Sequence, residues 1–223
     1  MTDLHTHILP GVDDGCCDVT QSLQLLEVER SQGVDTVVLT PHFYRDREES
    51  DRFLKRRAQA MDVLQQALRP ELPQLVLGAE VAWYPSLAED SNLEKLCLDS
   101  KGTLLLELPY TPWPVKMADW LYRFANDTGL TPILAHVERY ERLQSAGQYR
   151  DIVNMGLPMQ MSAGAFDSVL HRGKYLRMLR GGQWYIASDC HDLTKRPPCM
   201  DTAAAYLRRK LPRYAERMLS WQP

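Results

Sequence analysis

Asp35-Thr-Val-Val-Leu-Thr-Pro-His42 is a β-branched, largely apolar run that stops on a histidine. A strand that alternates apolar and polar residues has one wet face, whereas an unbroken apolar run reads as a strand buried on both faces, as in a parallel sheet covered by helices. The stretches on either side read the same way. An apolar run opening almost at the first residue ends in Asp3-Leu-His-Thr-His7, and downstream lie Gln74-Leu-Val-Leu-Gly-Ala-Glu80, Thr103-Leu-Leu-Leu-Glu107, Pro132-Ile-Leu-Ala-His136, residues 158–162 and residues 183–188. These make about seven strands, with helical patterns between them over residues 18–30, 46–68, 86–98, 115–127, 147–155, 165–180 and 200–216. Asp18 or Thr20 caps the first helix and Gly33 ends it. The second carries an apolar stripe of Phe53, Leu54, Met61, Leu64 and Leu68. Repeated strand and helix predicts a parallel α/β sheet, and the number of units favours a TIM-like barrel over an open doubly wound sheet.

The polar residues at the strand ends turn this fold into a functional reading. His7, His42, Glu80, Glu107, His136 and Asp189 fall at the C-terminal ends of six different strands, which in a barrel converge on the face where active sites form. His5 and His7, two apart in an extended strand, project from one face and can grip one metal ion. Asp14 in Gly-Val-Asp-Asp-Gly15 and His191 extend the set to nine nitrogen and oxygen donors. Taken singly, a Glu or His at a strand end is commonly an ordinary polar residue; nine in this order are a metal constellation. Such donors suit Mn²⁺, Fe²⁺ or Zn²⁺ better than a structural cysteine-rich zinc site.

Composition narrows the classes. A chain of 223 residues, 44% hydrophobic and 25% charged, is ordinary for one soluble domain spanning residues 1–223. A formal charge of −3 leaves no electrostatic footprint for nucleic acid or an anionic membrane. No apolar stretch approaches the roughly 20 residues of a membrane span, and no basic-then-apolar leader opens the chain. Five cysteines in no regular spacing suit free thiols, and the expected location is the cytoplasm.

With Thr40-Pro-His42, Gly78-Ala-Glu80, Leu106-Glu-Leu-Pro109, His136-Val-Glu-Arg-Tyr140 and Ser188-Asp-Cys-His191 added to the opening motif, the chain resembles the PHP-superfamily protein-tyrosine phosphatases of bacterial capsule and exopolysaccharide clusters. The resemblance runs from residue 3 to about residue 198. It implies a distorted (β/α)7 barrel and three divalent ions, usually manganese, with iron or zinc as alternatives. It also implies a substrate, phosphotyrosine on a bacterial tyrosine autokinase that governs polysaccharide synthesis. Position by position, one ion takes His5, His7, Glu80 and Asp189; a second shares Glu80 and adds Glu107 and His136; a third takes Asp14, His42 and His191. Arg139 and Arg196 stand where the family clamps phosphate. Val137 in place of a more usual proline, Cys190 and the Cys16-Cys17 pair depart from the pattern without removing a ligand.

The chemistry is self-consistent. Three divalent ions against four carboxylates leave about two positive charges, which a phosphomonoester of roughly −1.5 to −2 would match. Within the superfamily, the rival reading is a small-molecule phosphatase of the histidinol-phosphatase kind. Outside enzymes, it is a metal-filled module that binds the kinase tail without turnover. Cys190 and Arg196 also form the C-x5-R spacing of thiol phosphatases, but the segment between them lacks glycine and His191 is wanted by a metal. Asp13 is read as turn chemistry and His171 as an exposed helix residue.

Overall fold

The computed structural model describes residues 1–223, and in it strand and helix alternate from the first residues. The order is β1 (Thr2–Thr6), α1 (Val19–Ser31), β2 (Thr36–Leu39), β3 (His42–Phe43), α2 (Ser50–Gln65), β4 (Gln74–Leu77), β5 (Glu80–Ala82), α3 (Leu93–Leu96) and β6 (Thr103–Glu107). There follow α4 (Met117–Thr128), β7 (Thr131–Leu134), α5 (Ala146–Val153), β8 (Met159–Ser162), α6 (Val169–Met178), β9 (Trp184–Ala187), α7 (Met200–Lys210) and α8 (Ala215–Met218). Every strand pairing is parallel. No helix is long and apolar enough to cross a membrane.

The strands form two sheets, β1-β2-β4 and β3-β5-β6-β7-β8-β9. Two of the expected strands, over 35–42 and 74–80, are each broken in two, so that their halves lie in different sheets. Pro41 has no N–H to give a ladder and marks the first break. At the second, a Cβ on Gly78 would meet Leu98 Cδ2 at 2.5 Å, so any larger residue would have to push the Leu98 side chain aside. Arg57, buried on α2, donates to Gly78 O (2.6 Å) and Lys95 O (2.7 Å) and fixes this bend. Hydrogen bonds from Gly78 N–H to Leu39 O (2.9 Å) and from Glu80 N–H to Pro41 O (3.1 Å) run across the breaks. The other end of the series is tied as well, by Asp189 N–H to His5 O and His7 N–H to Cys190 O, both 2.9 Å.

A small apolar cluster beneath the site takes Leu4, Val38, Leu105, Ile133 and Ala187 from five different strands. The larger core lies between the strands and their helices. On α1, capped by Asp18 accepting from Gln21 N–H, the buried face is Ser22, Leu25, Leu26 and Glu29. On α2 only Phe53 and Leu64 of the expected stripe are fully buried, and Leu54, Met61 and Leu68 stay half-exposed.

Glu29 is the exception in this core. It is fully buried and accepts a hydrogen bond from the Cys190 thiol at 3.6 Å. Burial first, then the neighbouring Asp3 carboxyl, pushes it well above its ordinary value of 4.5. Asp3 itself, fully buried, is also raised. Above the ordinary value the folded chain therefore binds more protons than the unfolded one, so this group's contribution to stability declines as pH rises. Glu29→Gln keeps the shape without the charge. Melting curves should show the variant gaining on the native chain as pH rises above the ordinary carboxylate value of 4.5; a parallel decline of the two would contradict the assignment.

Candidate metal centre

All nine donors expected from the sequence meet in one place. His5 and His7 point the same way from β1 and its end, with their Nε2 atoms 3.1 Å apart. Glu80, first residue of β5, puts Oε2 3.2 Å from His5 Nε2, 3.4 Å from His7 Nε2 and 2.7 Å from His42 Nδ1. Asp189, just past β9, brings Oδ1 within 3.4 Å of His5 and 3.3 Å of His7. From the far side His136 Nε2 lies 2.7 Å from Glu80 Oε1 and 3.5 Å from Glu107 Oε1. Asp14 Oδ1 lies 3.5 Å from His42 Nε2 and 3.6 Å from His191 Nε2.

Three groups bring their donor atoms within 4.8 Å of one another: His7, Asp14, His42 and His191; His5, His7 and Glu80; His42, Glu80 and Glu107. His7 and His42 each stand in two groups, and His42 as well as His136 lies close to Glu80 and Glu107. Asp189 Oδ1, within 3.4 Å of His5 and His7, and His136 Nε2, within 3.5 Å of Glu80 and Glu107, stand against these groups, while Asp189 Oδ2 accepts from both arginines.

The donor set fits divalent cations. Glu80 Oε2 and Asp189 Oδ1 are buried and make no hydrogen bond, although imidazole nitrogens crowd them. A buried carboxylate oxygen left so is costly, and coordination is the ordinary remedy. Burial alone would raise both acids, but the surrounding imidazoles, His5 foremost, hold them well below the usual carboxylate range. His7, pulled down by burial, is lifted well above the ordinary histidine value by Asp13. Burial likewise lowers His136, yet Glu107 and Glu80 carry it to about 9. His191, desolvated and facing His7, falls to about 4 and stands neutral, ready as a ligand. The backbone is strained at this place and nowhere else: His136 (φ 32°) and Asp189 (φ 56°) are the two non-glycine residues in the left-handed region.

A second ring of residues orients the first, and most of it escaped the sequence reading. Asp13 does make the expected turn, accepting from Gly15 N–H at 3.0 Å, but its Oδ2 also lies 2.7 Å from His7 Nδ1 and accepts from His42 N–H at 3.0 Å. A Cβ on Gly15 would sit 2.0 Å from His7 O, so this turn packs directly on the ligand strand. Gln160, fully buried in β8, places Oε1 3.3 Å from His5 Nδ1 and accepts from His136 N–H at 2.5 Å. Fixing the outer ring nitrogen in this way sets which nitrogen faces inward. A glutamine in the middle of an apolar strand was the available signal.

Arg139 and Arg196 converge on Asp189 Oδ2 from separate segments. Arg139 also donates to Ser162 Oγ at 3.0 Å, and Arg196 Nη1 lies 2.8 Å from His191 Nε2. Each guanidinium remains about a third exposed, on the wall of a cavity of about 370 Å³ shared with Glu138, Ser162, Asp189 and Lys195. Cys190 is not on that wall. Its thiol is fully buried and pushed well above its ordinary value by burial and by Glu29 and Asp3. A reactive thiolate needs the opposite setting, so Cys190→Ser is expected to retain most phosphatase turnover, and its loss in a folded, metal-loaded variant would contradict this. His171, expected to be exposed, is half-buried on α6 with Nε2 3.2 Å from Arg142 Nη2.

The profile of the family described as capsular polysaccharide synthesis, CpsB/CapC, matches residues 1–223. The chain is 27% identical over 205 residues to the tyrosine-protein phosphatase YwqE of Bacillus subtilis, covering 88% of this chain and 79% of that protein. It is 28% identical over 215 residues to the tyrosine-protein phosphatase CpsB of Streptococcus agalactiae, covering 91% and 88% respectively. With the protein of the same name from Streptococcus pneumoniae the figures are 29% over 233 aligned positions, 94% and 90%. Among solved structures, a chain from the crystal structures of YwqE and CpsB, described as unique metal-dependent tyrosine phosphatases, superimposes with a TM-score of 0.78 at 22% identity, covering 100% of this chain and 96% of that one.

Proposed function

Because the chain belongs to the CpsB/CapC family of capsular polysaccharide synthesis, we propose that it is a metal-dependent protein-tyrosine phosphatase whose active site is the cluster just described. The observation that carries this reading is the meeting of nine nitrogen and oxygen donors in one cluster, with two arginines converging on its Asp189 carboxylate.

His5, His7, Asp14, His42, Glu80, Glu107, His136, Asp189 and His191 hold three divalent ions, manganese for preference with iron or zinc as substitutes. When bound, such ions supply an acidified water and positive charge for an attack on phosphorus. The chain's own groups do the rest. Asp13 and Gln160 fix the imidazoles from behind. Arg139 and Arg196 offer planar N–H pairs to the non-bridging oxygens and answer the charge that grows on them in the transition state. Ser162 holds Arg139 in place from the side. A phenol leaves with a pKa of about 10, far below an alkanol's, so phosphotyrosine asks little of a general acid.

The finer picture follows from the same premise. Strands β1 to β9 compose a distorted barrel of seven strand–helix units of the PHP type, a single domain over residues 1–223. The substrate is the phosphotyrosine tail of a bacterial tyrosine autokinase, and its dephosphorylation regulates capsule or exopolysaccharide synthesis. The enzyme works in the cytoplasm, where five unpaired cysteines remain thiols.

A phosphate-release assay tests the substrate class. The manganese-loaded protein should turn over a phosphotyrosine peptide with a kcat/KM far above that for histidinol phosphate or glycerol phosphate. The reverse order would make it a small-molecule phosphatase.

A further inference from the structure

The donor cluster borders three clefts, one of which, about 310 Å³ beside Asp14 and His42, is lined mostly by polar and charged groups that include Arg47, Glu48 and Arg56; the other two differ in chemistry. One carries the cations Arg139, Lys195 and Arg196 together with the carboxylates Glu138, Asp167 and Asp189 and several serines, with Ala165, Tyr175 and Pro197 on its remaining wall. The other, about 330 Å³, lies beside Glu107 and is walled by Tyr44, Ala82, Trp83, Tyr84, Pro109 and Tyr110. Both ends of this second cleft are tied to the cluster. The Tyr44 hydroxyl donates to Glu107 Oε2 at 3.2 Å and lies 3.2 Å from His42 Nδ1. The Tyr110 hydroxyl lies 3.3 Å from His136 Nδ1, its ring stacks on His136 at 5.8 Å, and the Arg139 guanidinium stands beside it.

Six aromatics follow the ligand-bearing strands in the sequence, and the fold sorts them. Phe43 and Trp113 are buried, the first against Phe53 at 5.0 Å and the second against Tyr140 at 5.3 Å. The other four keep part of their rings open to the cleft, with Tyr110 45% exposed. Four partly open aromatic rings around one concavity next to a reacting centre mark a place where a flat apolar group is received.

We propose that this cleft is the subsite for the aryl ring of the substrate, with Trp83 and Tyr84 as its specificity-determining walls. The proposal rests on the phosphatase reading above and names the feature that selects an aryl over an alkyl phosphate. Of the three clefts, the one beside Asp14 and His42 offers a ring charged side chains such as Arg47, Glu48 and Arg56, and the two nearer Arg139 remain for the ester substituent of a phosphoryl group held there. In the one of Lys195 and Arg196 a phenyl ring would cover Glu138, Ser162 and Ser168 and offer them no partner. In the aromatic one it meets ring faces and edges, each good contact multiplying affinity roughly two- to tenfold.

The test uses titration calorimetry on the manganese-loaded protein with phenylphosphonate and methylphosphonate, neither of which can be hydrolysed. The native protein should bind the phenyl ligand about tenfold more tightly. Trp83→Ala and, separately, Tyr84→Ala should weaken phenylphosphonate roughly five- to tenfold and methylphosphonate less than about twofold. Trp83 packs edge-on against Phe124 at 5.7 Å, so Tyr84, whose hydroxyl only reaches Asp90 Oδ2 at 3.0 Å, gives the milder variant. The ratio of the two affinities within one sample does not depend on the folded fraction. Equal affinity of the native protein for the two ligands, binding of neither, or equal losses in both variants would overturn the subsite. Phosphotyrosine-peptide turnover by the same native sample separates the two levels: turnover without a phenyl preference sinks the subsite alone, whereas no turnover sinks the phosphatase reading beneath it.

Discussion

Arg139→Ala lowers kcat/KM for a phosphotyrosine peptide by about 10²–10³-fold, the usual cost of removing one preorganised donor from a developing oxyanion. The geometry explains why so large a share falls on one side chain. Arg139 is anchored by Asp189 and Ser162, and the Asp189 carboxylate, after working against the burial that would lower it, keeps the guanidinium firmly charged. It therefore costs no reorganisation when charge arrives on the phosphoryl oxygens. Arg139→Lys should recover little, since a point charge lacks the planar pair of N–H groups. The bound metal should stay as in the native protein, because Arg196 still meets Asp189 Oδ2 and the nine donors are untouched. A non-catalytic binding module would respond differently, losing affinity with no turnover to lose. The check is steady-state kinetics with metal analysis on the same variant; unchanged kcat/KM would remove Arg139 from the site.

Metal removal has the largest effect of all. Dialysis against a strong chelator should abolish turnover, and restoring manganese at about a hundred times its Kd should raise the melting temperature by at least the roughly 5–10 °C that one ion contributes. The buried carboxylates are the reason. Without a cation, Glu80 and Asp189 lean on the surrounding imidazoles, His5 foremost, and two of the imidazoles, His7 and His136, are raised so that they hold protons. Binding must displace those protons, so metal affinity weakens as pH falls from about 9, where His136 titrates, toward acid. Calorimetry in buffers of different ionisation enthalpy measures the released protons directly. A melting temperature indifferent to chelator and manganese would contradict the account.

Much of this was legible in the sequence, for a physical reason. Parallel strands buried on both faces leave unbroken apolar runs, and a polar residue ending such a run stands out, as His42, Glu107 and His136 do. Where the reading failed, the cause lay across the fold. The break at Gly78 depends on Leu98 packing there and on Arg57 reaching the Gly78 carbonyl, contacts from other segments, whereas Pro41 marks the other break in the sequence itself. Glu29 sits on the inner face of α1 because Asp3 and Cys190 receive it, and nothing local says so. The roles of Asp13 and Gln160 belong to the same class, since an orienting partner is defined by what stands beside it. The sharing of His7 and His42 between groups follows from side-chain directions that spacing along a strand leaves open.

The most direct measurement is anomalous diffraction at the manganese edge from crystals of the active, manganese-loaded protein. Peaks lying among Glu80, Asp189, His7 and His42, with Arg139 and Arg196 on the flank, are the expected result. Crystals of an active sample with no anomalous peak among those side chains would refute the metal centre.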